Sequence, residues 1–345
     1  MTTTHLQAVC ALFPDRVERV DLDKQGQLLV RTIEGDWYRM NGDEPSPCAP
    51  HLDPALPVAA TLEPGSYEVL AYRPGRRIVF HTTSQPDVIH KGYRARRSGA
   101  AAVRLSTAQR ILRSGSFAPP HLVAADQDHD VLSFERAAGE SLTIRTEDSD
   151  SFHALGVGLR QLQSRVKEGE ALESFSAMDE VDVLARLESR LERLTELPEG
   201  ARELSASLSR LAKDLPEPRY VPTHRDLHDG QFLRAEDRVT LLDFDLFCRA
   251  DEALDVANLL CHLALRAMQG TRLASESSAL ACGDALLEGW NPGSSEERWV
   301  RLRFYQATTF ARLALVYSLR PRWSHLAGDL VTLAEKCRGE TALAP

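Results

Sequence analysis

Hydrophobic and polar positions follow two different periods along the chain. Before residue 140, short apolar runs with alternating polar residues are separated by turn signals such as Glu34-Gly35, whereas after residue 150 apolar residues recur every three or four positions. A period of two indicates strands and a period of 3.6 indicates helices. The pattern therefore predicts an α+β protein in which a small β-rich part precedes a larger, mainly helical part.

Residues 1–60 are predicted to form a β-rich extension. The strand-like segments 17–21, 27–31 and 36–40 are separated by turns, which favours a small meander. Segment 41–57 is polar and rich in proline, which is typical of a linker. Two roles stay open for the extension, namely a lid over a partner or substrate and a plain packing element.

Residues 61–138 are predicted to form a small lobe. Segments 67–72 and 77–82 form a hairpin, because Pro74 presets φ and Gly75 tolerates the positive φ of a type II turn. Arg73, Arg76 and Arg77 at this turn either meet a phosphate or form a solvated edge that discourages further pairing. A third strand, 87–93, carries Lys91.

Residues 139–345 are predicted to form a large helical lobe. Helical spacing and stop signals such as Asn291-Pro292-Gly293 outline a series of helices. Together with one helix of the small lobe near 100–113, they are expected near 152–162, 183–194, 255–263, 275–289, 295–319 and 323–338.

Composition excludes several classes of function. The formal net charge is −9 and the one basic run, 91–97, is short, so neither nucleic acid nor a membrane surface is an expected partner. The six cysteines are scattered without a C-x-x-C pair, which is typical of reduced thiols. No signal pattern or spanning apolar run is present, so a cytoplasmic protein is predicted.

The chemistry-bearing stretch is His224-Arg225-Asp226-Leu227-His228-Asp229-Gly230-Gln231, followed by Leu242-Asp243-Phe244-Asp245. Carboxylates and a carboxamide on two separate turns suit phosphoryl transfer, which needs a base beside a hydroxyl and oxygen ligands for Mg²⁺. Two other interpretations are a hydrogen-bonded turn and a metal hydrolase site with His224, Asp226, His228 and Asp229 as ligands. Turn chemistry does not explain the later Asp243, and the order of ligand types departs from a His-x-His-x-Asp-His run.

Three motifs resemble the aminoglycoside phosphotransferase and choline kinase branch of the protein-kinase-like superfamily. That branch carries His-x-Asp-x-x-x-x-Asn, then Ile-Asp-Phe or Ile-Asp-Trp, then Gly-Asp-Pro-x-x-Asp. Here the matching stretches are 224–231, 242–244 and 250–255, in the same order and at the same spacing. The resemblance covers about residues 65–340 and implies a bilobal kinase-like fold.

The resemblance implies a set of site residues. Asp226 would be the catalytic base, Gln231 and Asp243 would bind Mg²⁺, and Asp245 would be either a second ligand or a neighbour of the acceptor. Lys91 would reach the phosphates of ATP or GTP. The strand that connects the lobes would recognise the nucleotide base through its backbone at positions 133–137, with Ser133, Glu135 and Ala137 as candidates. Asp255 is expected to brace the catalytic loop rather than to contact phosphate.

Three departures from the family favour an alternative function. Gln231 replaces the usual Asn, no Gly-x-Gly-x-x-Gly is present, and Thr107-Ala108 stands where the family has a Glu-Ala that pairs with the lysine. Either another acid holds Lys91, with Glu135 or Asp243 through the metal as candidates, or the lysine is positioned loosely. The predicted function is transfer of the γ-phosphate to a hydroxyl of a small polar metabolite, and the alternative is a kinase-like nucleotide-binding or regulatory protein.

The acceptor is less defined. An acidic insert at 166–200 either is a solvated helix face or lines a site for a cationic acceptor. Numerous arginines near 298–322 argue against a wholly acidic aminoglycoside pocket. A sugar, an aminoglycoside and an amino alcohol stay possible as acceptors, and no heptad or repeat indicates an oligomeric state.

Overall fold

The computed structural model describes residues 5–112, 116–165, 172–235, 238–293 and 295–341. Two compact units are present. Unit 1 contains the described residues up to Val103 together with Pro120–Ala137 and Leu319–Arg322, and unit 2 contains the others. Residues 5–60 thus belong to the same unit as the predicted small lobe, while the predicted domain boundaries stay a prediction. The start of the acidic insert, 166–171, lies outside the described residues.

The strands are listed in chain order as follows: β1 (Val17–Leu22), β2 (Leu28–Thr32), β3 (Trp37–Asn41), β4 (Glu44–Pro47), β5 (Tyr67–Arg73), β6 (Arg77–Thr82), β7 (Gln85–Tyr93), β8 (Phe117–Ala118), β9 (Leu122–Asp126), β10 (Val131–Glu135), β11 (Glu140–Ser141), β12 (Tyr220–Thr223), β13 (Phe232–Ala235), β14 (Arg238–Leu241) and β15 (Cys248–Asp251). The helices are α1 (His5–Leu12), α2 (Ser98–Leu112), α3 (Ser149–Ser164), α4 (Ala177–Leu191), α5 (Ala201–Asp214), α6 (Leu254–Gln269), α7 (Glu276–Trp290), α8 (Glu296–Tyr317) and α9 (Ala327–Thr341).

In unit 1 the extension is an antiparallel meander in the order β1-β2-β3-β4, as its turn signals predicted. The interpretation of 41–57 as a linker was wrong. This segment forms β4, which pairs with β3, and a 3₁₀ turn at Pro50–Leu52. Leu56 and the neighbouring Val58 are buried in the same core as Ile78 of β6. Burial of these apolar side chains outweighs the proline-rich composition.

The second sheet of unit 1 has the order β5-β6-β7-β10-β9. The predicted hairpin is confirmed as β5 and β6, and Gly75 in its turn has φ 67°. Strand β7 is central, because β6 and β10 pair with its two sides and place Val79 and Leu132 opposite Lys91. The alternative of an outward lysine on an edge strand is therefore wrong.

Unit 2 is mainly helical and contains two small sheets, ordered β11-β13-β14-β8 and β12-β15. Helices α3 and α7 pack with unusually little space between their backbones. A Cβ added at Gly156 of α3 would lie 2.2 Å from the Leu286 carbonyl oxygen of α7. A Cβ at Gly289 would lie 2.1 Å from the His153 carbonyl oxygen. Glycine at these two positions permits the close approach.

All six cysteines lie in the described part of the chain and are free thiols. Burial raises the pKa of Cys248 to about 12 and that of Cys282 to about 11. Within the described ranges, we find no helix long and apolar enough to cross a membrane.

The contact between α3 and α7 generates a first prediction. We expect Gly156→Ala to lower the free energy of unfolding by about 1–3 kcal/mol, because the new methyl group meets backbone atoms that do not yield. The matched control is Gly328→Ala in α9, where nothing lies within 4 Å of the added Cβ. There alanine should keep or raise stability, since it is the better helix former by about 1 kcal/mol. Urea unfolding of both variants measures the difference, and equal effects would contradict the packing argument.

Candidate active site

The predicted chemistry in unit 2 lies on two loops that are joined by a hairpin. The loop 224–231 precedes β13, and Asp243 follows β14 shortly after the hairpin ladder ends. Strands β13 and β14 pair in register from Phe232 opposite Leu241, and one step further the Leu242 N–H donates to the Gln231 carbonyl at 2.8 Å. Gln231 thus lies beside the residue that precedes Asp243. Residues 236–237 of the hairpin turn are outside the described part.

The carboxylate of Asp255 fixes the start of the first loop. Its Oδ2 accepts the His224 N–H and its Oδ1 accepts the Arg225 N–H, both at 2.7 Å. Asp255 lies in the first turn of α6 and is only 1% exposed. Burial raises the pKa of Asp255, while His224 and the two backbone N–H groups act in the opposite direction. The predicted bracing role of Asp255 is confirmed.

Arg225 needs this bracing because its backbone is strained. Its φ is 72°, a left-handed conformation that L-residues with side chains seldom adopt. The Arg225 carbonyl accepts from Asn258 Nδ2 at 3.0 Å, and Asn258 Oδ1 accepts from Thr309 and Arg312 at 2.8 Å each. The Arg225 guanidinium lies 3.6 Å from the Phe175 ring centroid. The backbone carbonyl and the guanidinium group of this strained residue are therefore both held in place.

Sequence reasoning missed Asn258. A usable signal was present, because Asn258 lies three residues after Asp255 and the two share one face of a helix.

His224 connects the two loops. The ring is buried, and its Nε2 donates to the Leu242 carbonyl at 2.7 Å, which places the ring proton on Nε2. Its ring also makes an edge contact with Phe244 at 5.3 Å. Asp243, between Leu242 and Phe244, has φ 60° and is the second non-glycine residue of the site in the left-handed region. The His224 contacts hold Asp243 in this conformation from both sides.

His228 orients the side chain of Gln231. The Gly230 N–H donates to His228 Nδ1 at 3.0 Å, so the neutral ring carries its proton on Nε2. Burial lowers the pKa of His228, which favours that neutral form. His228 Nε2 lies 3.2 Å from Gln231 Nε2. Because two N–H donors cannot face each other, we assign the amide with its oxygen toward the ring, where it accepts from His228. One lone pair of that oxygen is left for a metal ion.

The candidate carboxylates differ in their surroundings. Asp226, Asp243 and Asp245 are all half-buried, so solvent or a ligand reaches them. Asp229 instead is 0% exposed, and its oxygens contact Arg266 Nε at 3.1 Å and Arg272 Nε at 3.2 Å. Within the described residues, no three His, Cys, Asp or Glu side chains are arranged to hold a metal. These facts argue against the metal hydrolase interpretation.

The other predicted site residues belong to unit 1. Lys91 is 8% exposed, and its Nζ lies 5.2 Å from the Tyr93 ring centroid. Ser133 accepts or donates a hydrogen bond with His90 Nδ1 at 2.9 Å. Ala137 is the last residue of unit 1 before the chain enters unit 2.

Glu135 is a poor partner for Lys91. It lies opposite Val88, three residues from Lys91 and so about 10 Å along the strand. Its exposed carboxylate is 3.4 Å from His121 Nδ1, and its N–H donates to the His121 carbonyl at 3.0 Å. Any contact of Glu135 with a nucleotide base would therefore use its carbonyl.

Most arginines that seemed to bear on the acceptor are structural. Arg301 is buried and pairs with Asp251 at 3.1 Å, and Arg298 pairs with Glu252 at 2.9 Å. Arg303 pairs with Glu340 at 3.4 Å. Each of these three arginines is paired with a carboxylate of unit 2. Their number therefore gives no information on the charge of the acceptor. Burial raises the pKa of Asp251 to about 6, against the effect of Arg301.

A family model of the phosphotransferase enzyme family matches residues 75–299. The chain belongs to this family. The matched residues include both loops and Lys91, whereas residues 1–74 lie outside them. A search of curated proteins found no match.

Solved structures show the same fold. A choline/ethanolamine kinase family protein from Mesorhizobium loti is 17% identical over 83% of this chain and 90% of its own, with a TM-score of 0.51. Choline kinase LicA from Streptococcus pneumoniae is 15% identical over 82% and 96%, with a TM-score of 0.53. Amicoumacin kinase hAmiN, solved with AMP-PNP, Ca²⁺ and Ami, is 15% identical over 82% and 91%, with a TM-score of 0.57.

These comparisons confirm the resemblance, the kinase-like α+β fold class and the prediction of an enzyme. The chain is a member of the phosphotransferase enzyme family, with a β-rich N-terminal part and a helical C-terminal part. The individual site residues stay predictions.

The Asp255 contacts generate a second prediction. An amide in place of the carboxylate accepts one N–H and turns its own NH₂ toward the other, so we expect Asp255→Asn to destabilise the protein by about 2–4 kcal/mol. Phosphotransfer should fall more than stability alone explains, because the loop that carries Asp226 loses its brace.

Asp284→Asn is the matched control, since Asp284 is exposed on α7. Thermal unfolding and turnover of soluble protein at a temperature where both variants are folded give the two readouts. A fully active, stable Asp255→Asn protein would contradict the bracing role.

Proposed function

We propose that this protein transfers the γ-phosphoryl group of ATP or GTP to a hydroxyl of a small polar metabolite. The observation that carries the proposal is the network of Asp255, His224 and Leu242. It holds the loop with Asp226 and the loop with Asp243 together through buried hydrogen bonds of 2.7 Å. Phosphoryl transfer depends mainly on positioning and on electrostatic stabilisation, and a rigid pair of loops supplies the first.

Asp226 is proposed as the residue that accepts the proton of the acceptor hydroxyl. It is half-buried, between the strained Arg225 and the fully buried Leu227. Anchoring on both sides limits the movement of its carboxylate, which is what a general base needs.

Mg²⁺ fits the donor set of the two loops. Asp243 supplies a carboxylate and Gln231 an amide oxygen, both hard ligands, and the Leu242–Gln231 backbone bond keeps the two turns adjacent. His228 compensates for the longer side chain of Gln231 by fixing its amide. Asp245 stays open as a further ligand or as a contact of the acceptor. When bound, the ion would neutralise charge on the phosphate groups.

Lys91 is proposed to bind the nucleotide phosphates, and backbone groups of 133–137 to bind the base. The support is the place of Lys91 on the central strand β7, where pairing with β6 and β10 fixes its backbone and its side chain is buried. Nucleotide complexes among the solved relatives of this fold, such as an ADP-bound aminoglycoside phosphotransferase, agree with this proposal.

A nucleotide-binding protein with little transfer activity is the second candidate. It is favoured by α2, which contains no acidic residue in Ser98–Leu112, and by Thr107, whose hydroxyl accepts from Arg110 at 3.1 Å. No side chain of that helix can therefore pair with Lys91 as a carboxylate. Sugars, aminoglycosides and amino alcohols all stay candidate acceptors, and a cytoplasmic location stays a prediction.

Two variants separate the candidates and form a third prediction. We expect Asp226→Asn to keep nucleotide binding and to lower turnover by about 10²–10⁴-fold, the usual contribution of a general base. Asp243→Asn should lose the stabilisation by MgATP, which for wild type is about 2.7 kcal/mol at a hundredfold excess over Kd.

Asp214→Asn, an exposed change at the end of α5, is the control for both variants. The measurements are thermal unfolding with MgATP or MgGTP and ADP or GDP release across a panel of hydroxyl compounds. Nucleotide stabilisation without release for any acceptor would favour the second candidate. Absence of stabilisation by either nucleotide would reject both.

A further inference from the structure

Three consecutive peptide groups at the start of the first loop are hydrogen-bonded to side chains of α6. The N–H groups of His224 and Arg225 donate to Asp255. The Arg225 carbonyl, which belongs to the next peptide group, accepts from Asn258 Nδ2 at 3.0 Å. That peptide group leads into Asp226, and because it is planar, fixing its carbonyl also limits the direction in which Asp226 leaves the chain. The hydrogen bond from Asn258 thus restrains the backbone directly before the proposed base.

The side-chain amide of Asn258 has a single possible orientation. Its Oδ1 accepts from Thr309 Oγ1 and from Arg312 Nη2, both at 2.8 Å. A guanidinium group only donates hydrogen bonds, so the atom that faces Arg312 is the oxygen. The nitrogen therefore points toward the Arg225 carbonyl, which only accepts. Because Asn258 is buried, water does not compete for these bonds.

Arg312 of α8 connects this amide to a third helix. Its Nε lies 3.5 Å from Oε1 of Glu180, a buried residue in the first turn of α4. The two opposite charges compensate each other's burial. On its other side the same guanidinium group makes a charge-assisted bond to Asn258, which polarises the amide and makes its N–H a stronger donor. The restraint on the loop therefore extends from α6 to α8 and α4.

Two adjacent threonines of α8 differ in where their hydroxyl groups donate. Thr308 and Thr309 are both fully buried. The Thr308 hydroxyl donates to the Tyr305 carbonyl of its own helix at 3.1 Å, whereas the Thr309 hydroxyl donates to Asn258 on α6. The first bond stays within one helix and has no connection to the loop. The helix thus contains a matched pair of residues with the same chemistry, of which one contacts Asn258.

We propose that Asn258, Thr309 and Arg312 are positioning residues for the proposed reaction. Together they hold the peptide group between Arg225 and Asp226, and thereby keep the Asp226 carboxylate where it accepts the proton of the acceptor. The inference rests on the proposed role of Asp226 as the base. A displacement of about 1 Å at a reacting group can lower a rate about 10²-fold, so a restraint on the backbone is enough to affect catalysis. Nucleotide binding does not depend on this restraint.

The fourth prediction uses Asn258→Asp. The new carboxylate has nearly the same shape, accepts from Thr309 and Arg312, and is kept ionised by the arginine, but it has no N–H for the Arg225 carbonyl. Amide hydrogen exchange of 224–231, measured by mass spectrometry, should become at least about tenfold faster. The kcat for ADP release from MgATP should fall about 10–100-fold, while KM for MgATP changes by less than about twofold.

The two threonines supply a matched comparison, which also decides the matter if Asn258→Asp fails to fold. Thr309→Val removes one donor to Asn258 and should speed exchange of the loop and lower kcat, each about threefold. Thr308→Val removes a hydroxyl that bonds within α8 and should resemble wild type in both measurements. Arg312→Lys keeps a cation beside Glu180 and should act in the same direction as Thr309→Val, because one ammonium replaces the planar fork.

Unchanged loop exchange in folded Asn258→Asp, or no difference between Thr308→Val and Thr309→Val, would overturn the proposal, because the network would then only join helices. Faster exchange with a wild-type kcat would overturn it as well. Failure of the proposed phosphotransfer gives a different result: wild type would bind MgATP and release no ADP with any acceptor. In that case faster exchange in Asn258→Asp would still support the restraint on the loop, since amide exchange needs no acceptor.

Discussion

The carboxylate of Asp255, which accepts two backbone N–H groups at the start of the loop 224–231, is the interaction on which the candidate site depends. Its two hydrogen bonds stabilise the left-handed conformation of Arg225. They also position His224 so that its ring donates to the Leu242 carbonyl, next to Asp243. A buried carboxylate is stable in this place because the charge is shared by N–H donors that have no other partner. Since both loops depend on it, the positions of Asp226 and Asp243 follow from one residue on α6.

Residues nearby fix the side chains at which the sequence departs from the family pattern. Gln231 is longer than the usual Asn, and His228 holds its amide by a hydrogen bond that the tautomer of the ring requires. Thr107 replaces the acid that would pair with the lysine, yet Lys91 is still placed on the central strand and buried. Lys91 thus has a fixed place on a strand that is paired on both sides, although α2 offers it no carboxylate.

The extension is integrated into unit 1 rather than attached by a linker. Asp53 and Trp37 bind the backbone of the β5–β6 turn, and Asp21 pairs with Arg73 beside it. These bonds hold the turn rigid, and Arg19 of β1 contacts the same Asp21 carboxylate as Arg73 does. Residues of the extension, which lie outside the family match, therefore contact the hairpin of the five-stranded sheet directly.

Residues close in the chain carry the signals that could be read from the sequence. Motif spacing placed Asp226, Gln231 and Asp243 on neighbouring loops, and turn chemistry predicted the hairpin at Gly75, because both depend on short-range geometry. Tertiary structure alone decided that Lys91 is central, that Leu56 is buried despite a proline-rich context, and that Asp21 pairs with Arg73. Contacts between distant segments depend on how whole sheets and helices pack, and this packing leaves no local periodicity in the sequence.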